Sequence, residues 1–532
     1  MQEYNVLTTN NNKRGVLMRI SDIKNRITKR DKIAFLSAFI FFFLVHVFKI
    51  TNYLPNHDAL TSFYSNQNIV ESGRWFLSIA CLPSTYFDLP WLVGVLSAIY
   101  LALTAVIVVR IFDLSSKVSI VIASALLVSF PAVTETMLFE FTADGYFLAM
   151  LLAALAIRLV TTTNQKWYMY IAAGVLLCLS CGIYQAYFCF AVVLALVYLM
   201  LEILKQSKTT KQHLIWCGKQ IIMYGVTLGA YYIIWKSLMN VQNISAIDYQ
   251  GITEAGNFGI SSLISAAIGM VTSVMNFAFG RNFYKGNLTF YAVLGALFFL
   301  ALLCVLFLSI KKKKLMKSKG SFVLFAAALL AVPVATYFWL FVSSGTAYGT
   351  RMLQSLALLY ILPLALSEKY LDTKWRNISA LTLCLLIAAF SCQANIAYLY
   401  LNQCYESTYH TSTEVLQRVH LASETGEEKI AIVGNYVYDT EMNNNPLSKE
   451  MGSLSGTIKS TLAYDHTHIK HFTKNTFFNE FDFVSYEELE EIKQYKEIED
   501  MPCWPAKDSV KNINGYIVVK LAEPATETPA EN

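Results

Sequence analysis

The sequence predicts an α-helical polytopic membrane protein followed by a small C-terminal α/β domain, and three observations predict it. Hydrophobic residues make up 55% of the 532 positions and charged residues only 15%, where soluble domains carry about 25% charged residues. Apolar stretches approaching or exceeding the length of a bilayer-crossing helix, about 20 residues, recur from residue 33 to residue 398. The connections between them alternate between basic and non-basic, as the positive-inside rule asks of a multi-pass chain.

Taken in order, residues 1–32 form a basic segment expected in the cytoplasm. Its stretch Lys24 to Lys32 precedes an apolar helix with no small-residue cleavage site after it, so it does not read as a cleavable signal peptide. Residues 33–399 form the transmembrane domain. About eleven spans are expected, at 33–50, 91–112, 118–133, 146–161, 167–182, 185–204, 220–239, 288–310, 321–342, 352–367 and 377–398. Residues 261–279 are also apolar, but counting them as a span would break the charge alternation, so they are assigned an interfacial or re-entrant helix.

The basic connections carry Arg110 and Lys117, Arg158 and Lys166, Lys205 to Lys219, the run Lys311 to Lys319, and Lys369 to Arg376. All fall on one side. The opposite side receives 51–90, whose only Lys or Arg is Arg74, and the acidic loop 134–145.

Residues 400–523 have soluble composition and are expected as an extracytoplasmic α/β domain. A helix-like stretch at Thr413 to Ser423 leads into a buried strand, Lys429 to Val433, closed by Gly434. A charged helix is expected at Tyr486 to Ile498 and a last strand at Gly515 to Leu521. The polar end, 524–532, lacks the apolar content to order itself.

A net charge of +5 is too small to argue for a nucleic-acid partner. Most cysteines sit in apolar runs and read as small buried hydrophobes. Cys404 and Cys503 fall in the polar tail, and spacing does not decide whether they pair. No phosphate-cradling loop, GxSxG elbow or dinucleotide fingerprint is present. No cytoplasmic connection is long enough for a nucleotide-sugar domain, so a transferase of this shape would draw its donor from the membrane.

The residues that could carry chemistry cluster on the non-basic side. Asp58, in Asn56-His57-Asp58, is a candidate general base, against the reading of an ordinary exposed loop acid. Glu135, Glu140 and Asp144 form a second acidic group, and a helix through them would put Glu140 and Asp144 on one face. Such a pair could flank a sugar or hold a divalent cation, magnesium or manganese, through oxygen ligands. The alternative is ordinary acids at a helix end. Tyr184 and Gln185 interrupt an apolar hairpin and are candidate substrate binders, as Glu135 is, against the reading of a turn with interfacial tyrosines.

Arg351 opens a helix on the side where the charge bias disfavours cations, and could hold a phosphate through a bidentate contact. Arg74, Arg281 and Lys285 are further candidate substrate binders. The cluster Asp465-His466-Thr467-His468 with His471 has metal-type side chains but reads better as a solvated loop.

The segments Asn56-His57-Asp58-Ala59-Leu60, Ser72-Gly73-Arg74-Trp75, Thr142-Ala143-Asp144-Gly145 and Tyr184-Gln185-Ala186, the Arg351 helix and the tail motif Met501-Pro502-Cys503-Trp504-Pro505 are similar to those of the bacterial type II glucosyltransferases of O-antigen serotype conversion. The likeness covers nearly the whole chain, and the order of the motifs carries it. It implies a GT-C-like fold in the bacterial inner membrane. It also implies transfer of glucose or a related hexose from an undecaprenyl-phosphate carrier to a cell-surface glycan, with first-loop and second-loop acids at the places of Asp58 and of Glu140 and Asp144.

A lipid-linked sugar flippase or transporter would share the apolar bundle, but would be expected to show inverted repeats and midplane charges. A polysaccharide ligase or polymerase would use a diphosphate carrier and more outer cations. A non-catalytic assembly subunit would tolerate loss of the acids.

Overall fold

The computed structural model describes residues 27–62, 65–162, 165–246, 259–280, 288–342, 348–435, 461–477 and 481–523. Arg281, Lys285 and the 524–532 end lie outside the described residues. Among the described residues, eleven helices are long and apolar enough to cross a membrane.

The first, Lys29–Thr51, shows why these stretches become spans. Its N-terminus is closed by a capping box in which Thr28 and Asp31 exchange hydrogen bonds, satisfying amides that the helix itself leaves open. Ala34, Ala38, Phe42 and Val45 face inward and are buried, while Leu36, Ile40, Leu44 and Val47 form an exposed apolar stripe. A stripe of that length on a soluble protein would be a liability, but against lipid it has its solvent.

The expected number of spans and the observed number agree through two differences. Trp167–Ile183 is a helix of 17 residues, shorter than its neighbours, yet it joins the basic end at Lys166 to the turn at Tyr184. Ile260–Ala278, read from charge alternation as interfacial, is itself long and apolar enough to cross. Only Ala266, Phe277 and Ala278 of it are buried; Phe277 packs on Phe130 and Tyr360.

The expected acidic loop at 134–145 is a second departure. The chain there forms Pro131–Leu138 and Glu140–Val160, two helices broken only at Phe139, and all three acids are buried. The span expected at 146–161 therefore starts six residues earlier, because the acids find partners inside the bundle instead of water.

The helix ends sort into two groups. At the basic end Arg30 and Lys369 both reach Asp113 (3.3 and 3.1 Å), Lys205 and Lys208 reach Glu202, and Gln206 donates to the Lys313 carbonyl. At the other end gather the 53–89 segment, the break at Phe139, the Tyr184-Gln185 turn and residues 348–355.

The C-terminal region is continuous with the bundle. One helix, Thr373–Ala422, runs 50 residues across the 399/400 boundary expected from composition, and it contains no Gly or Pro to stop it. Its far end is fastened where Arg418 stacks on Trp504 (4.4 Å) and donates to the carbonyls of Pro505 and Ala506. The sheet has order β1-β3-β2, with β1 (Lys429–Val433) parallel to β3 (Tyr516–Lys520) and β2 (Val510–Ile513) antiparallel to it. β2 is short and half polar, which hid it in the sequence. The expected helix at 486–498 is two, Tyr486–Ile492 and Lys496–Glu499. Cys404 is buried in the long helix, and Cys503 lies 3.5 Å from Glu523.

Candidate active site

The 53–89 segment is folded into the end of the bundle. Gly73 has φ +81°, and a side chain there would strike the Tyr231 hydroxyl; this is a position that only glycine fills without strain. The amide of Phe76 donates to the Gly182 carbonyl (2.7 Å), and Trp235 donates to the Val70 carbonyl (2.7 Å). Gln185 ties the turn to the loop: its side-chain amide donates to Ser72 O (2.9 Å) and Tyr231 Oη (3.0 Å), while its carbonyl accepts from Trp339 (3.2 Å). Gln185 thus holds two elements together.

Arg74 is presented beside an aromatic pair. Tyr146 and Tyr184 stack with centroids 4.2 Å apart and planes at 3°. The Arg74 guanidinium lies 5.2 Å from the Tyr184 ring and 6.0 Å from the Tyr146 ring. Arg351 also interacts with Tyr184. Its guanidinium stacks on Phe139 at 4.1 Å, its backbone amide donates to Glu135 Oε2 (2.7 Å), and its side chain reaches Glu135 Oε1 at 4.0 Å. Gly349 permits this approach, because a Cβ there would sit 3.0 Å from Glu135 Oε1.

Next to Phe139, Glu140 forms a fully buried ion pair with Lys49, which also donates to the Leu54 carbonyl (2.8 Å). Two further buried carboxylates act on the same pair, those of Asp88 and Asp144. Asp144 lies one helical turn beyond Glu140, facing Ser84 and Cys81. Burial pushes the Asp88 carboxyl above the usual carboxylate range, with Lys49 opposing it. One lysine therefore stands among three acids. His46, one turn before Lys49, is held between Tyr398 Oη (2.6 Å) and Val128 O (2.9 Å). Lys49 and Asp88 were missed in the sequence. The available signals were a lysine at the non-basic end of the first span and an acid just before the helix-starting Pro90.

Asp58 is different. It sits in the first turn of the short helix His57–Ser62, half exposed, 3.3 Å from His57 Nε2. The C-terminal domain covers this helix: His468 lies 6.5 Å from His57 ring to ring, and Asn475 donates to the Leu60 carbonyl (3.0 Å). Burial, together with Asp465 and Asp58, pushes the Tyr464 hydroxyl up to about 12. Asp58 thus lies at the seam between the bundle and the domain. Lys49 connects it to the buried acids through Leu54, four residues before it.

The histidine cluster of the tail is structural. His466 is buried, accepting from the Ile432 amide (3.3 Å) and facing Val484 O (3.0 Å), and His468 pairs with Asp465 (2.8 Å). Among the described residues no three His, Cys, Asp or Glu side chains are arranged to hold a metal ion. The divalent cation considered for Glu140 and Asp144 meets Lys49 there.

The family model for glucosyl transferase GtrII matches residues 47–367. No curated protein and no solved structure matches the chain. The matched stretch is more than half of the sequence and contains Lys49, Asp58, Arg74, Asp88, Glu135, Glu140, Asp144, Tyr184, Gln185 and Arg351. The chain therefore belongs to the GtrII glucosyl transferase family and is a multi-pass membrane glucosyltransferase.

Proposed function

We propose that the protein transfers glucose, or a related hexose, from an undecaprenyl-phosphate-linked donor to a cell-surface glycan, at the non-basic end of its bundle. By the positive-inside rule that end faces away from the cytoplasm of the bacterial inner membrane, with the N-terminus inside and the C-terminal domain outside. The observation that carries the reading is the convergence at this one end of two arginines, four buried acids and the half-exposed Asp58, beneath a covering domain.

In this reading Asp58 takes the proton from the acceptor hydroxyl as that oxygen attacks the anomeric carbon. The bond from that carbon to the phosphate oxygen breaks, and the lipid phosphate leaves with the electron pair. A single displacement inverts the anomeric centre. Asp58 suits the base role because it is the acid an incoming glycan can reach, with His57 to orient it. Glu140 is paired with Lys49, and Asp144 is fully buried; both fit a supporting role that fixes Leu54 and Phe139. Arg351, flat against Phe139, and Arg74, beside the tyrosine pair, supply guanidinium groups for the departing phosphate. Glu135 fixes the backbone of Arg351. The C-terminal domain, seated on the Asp58 helix, is where the acceptor is held.

The test is transfer of labelled glucose from undecaprenyl-phosphate-glucose by membranes carrying the parent chain or Asp58→Asn. The expected loss is roughly 10²–10⁴-fold, the usual contribution of a general base. Equal transfer by both would remove Asp58 from the reaction and move the base to Glu140.

A further inference from the structure

The end of the bundle away from the candidate site holds a cavity that the glucosyl transfer does not use. It measures about 840 Å³ and is lined by Arg30, Arg110, Arg158, Lys205, Lys208 and Lys219, against the acids Asp113 and Glu202. Those acids are already engaged, Asp113 by Arg30 and Lys369 and Glu202 by Lys205 and Lys208. Arg158 and Lys219 make no ion pair among the described residues. Arg158, in the last turn of Glu140–Val160, is instead under the influence of the like charges of Arg110 and Arg30. Asp31, which also acts on it, is held by Arg110 at 2.7 Å. Cations gathered in a partly buried pocket repel one another unless an anion joins them.

This cavity adjoins an apolar groove. Gln165 and Lys219 line both. The groove, about 600 Å³, runs between Trp167–Ile183 and Thr210–Gln242 as far as Trp75. Its sides include Ile171, Val175, Ile222 and Val226, all exposed to what would be lipid. The two helices touch at Gly174, where Thr227 donates to the glycine carbonyl (3.5 Å), so the groove has a floor. A cationic headgroup pocket opening into an apolar slot at membrane depth matches one kind of molecule: a phosphate bearing an acyl chain.

We propose that this pocket and groove form a binding site for an anionic phospholipid, with the phosphate between Arg158 and Lys219 and one acyl chain along the groove towards Trp75. Basic pockets between membrane helices on the positively charged side bind anionic headgroups in this way. The cationic pocket lies at the basic end of the bundle, opposite Arg74 and Arg351, which sets this headgroup site apart from the proposed donor phosphate.

The test uses the full chain in detergent, titrated with phosphatidylglycerol, phosphatidylcholine or undecaprenyl phosphate and followed by native mass spectrometry. Phosphatidylglycerol should bind more tightly than phosphatidylcholine. The double variant Arg158→Ala, Lys219→Ala should weaken it about thirtyfold, the sum of two ordinary cation–headgroup increments. Val175→Trp, which fills the groove and leaves every charge in place, should also weaken it while the melting temperature of the lipid-free chain stays at the parent value. That variant decides the matter if the double variant does not fold. Equal binding of the two phospholipids, or phosphatidylglycerol binding unchanged in Val175→Trp, would overturn the site. Displacement of bound phosphatidylglycerol by a lower concentration of undecaprenyl phosphate would overturn the choice of occupant in favour of the carrier.

Discussion

The two ends of the bundle handle charge in opposite ways. At the basic end, Asp113 and Glu202 are bridged by flexible lysines and arginines in half-exposed contacts. Exposed pairs of this kind contribute about 0–1 kcal/mol each and serve mainly to mark topology. At the other end Lys49 and Glu140 are sealed from solvent, with Asp88 and Asp144 beside them. Burying such groups costs several kcal/mol per ion before the pairing offsets it. A fold gains little from three acids around one lysine, and ionisable groups held inside a membrane bundle are the usual mark of function. The comparison teaches that the charges that mark topology and the charges that are costly to bury sit at different ends of the same helices.

That contrast can be broken by single substitutions. Lys49→Ala should have the largest effect, because it leaves Glu140 buried without its counter-ion; a loss of roughly 3–5 kcal/mol is expected, read as a lower melting temperature or failure to accumulate in membranes. Arg351→Ala should leave the chain folded and reduce transfer by roughly 10²–10³-fold, as removal of one preorganised donor to a developing anion does, with Arg351→Lys recovering only part. Unchanged transfer would remove Arg351 from phosphate binding.

The C-terminal domain carries a pH response of its own. Burial holds the His466 imidazole below its ordinary value of 6.5. The unfolded chain therefore takes up a proton first, so stability is complete above about 6.5 and declines as pH falls through that value. The protection factors of the β1 amides, corrected for the intrinsic exchange rate at each pH, should fall on acidification, and His466→Gln should flatten that response. The smallest effect belongs to the basic end: Asp113→Asn should cost no more than about 1 kcal/mol and leave transfer intact.

The sequence made the bundle legible because lipid imposes one pattern, an apolar run closed by polar ends, on every span. It made Asp58, Glu140, Asp144 and Arg351 visible as charges on the side where cations are scarce. It could not show that Lys49 meets Glu140, since 91 residues separate them and neither residue is unusual by itself. It also misjudged 134–145, where polarity read as a loop is polarity buried in helices around Phe139. Gln185, a candidate substrate binder in the sequence, bonds Ser72, Tyr231 and Trp339, an arrangement that no local pattern encodes. The long helix Thr373–Ala422 passed unnoticed because its hydropathy changes midway while its backbone propensity does not.

The most direct test of the claim that the buried charges serve transfer and not folding is the paired variant Lys49→Met, Glu140→Leu. Replacing a buried ion pair by apolar groups of similar volume is commonly neutral or stabilising. The variant is expected to reach the membrane and melt at or above the parent temperature, while glucose transfer falls roughly a hundredfold, the usual cost of displacing catalytic groups by about an ångström. Parental transfer rates in a chain of unchanged stability would show that this charge is dispensable, and would contradict the account.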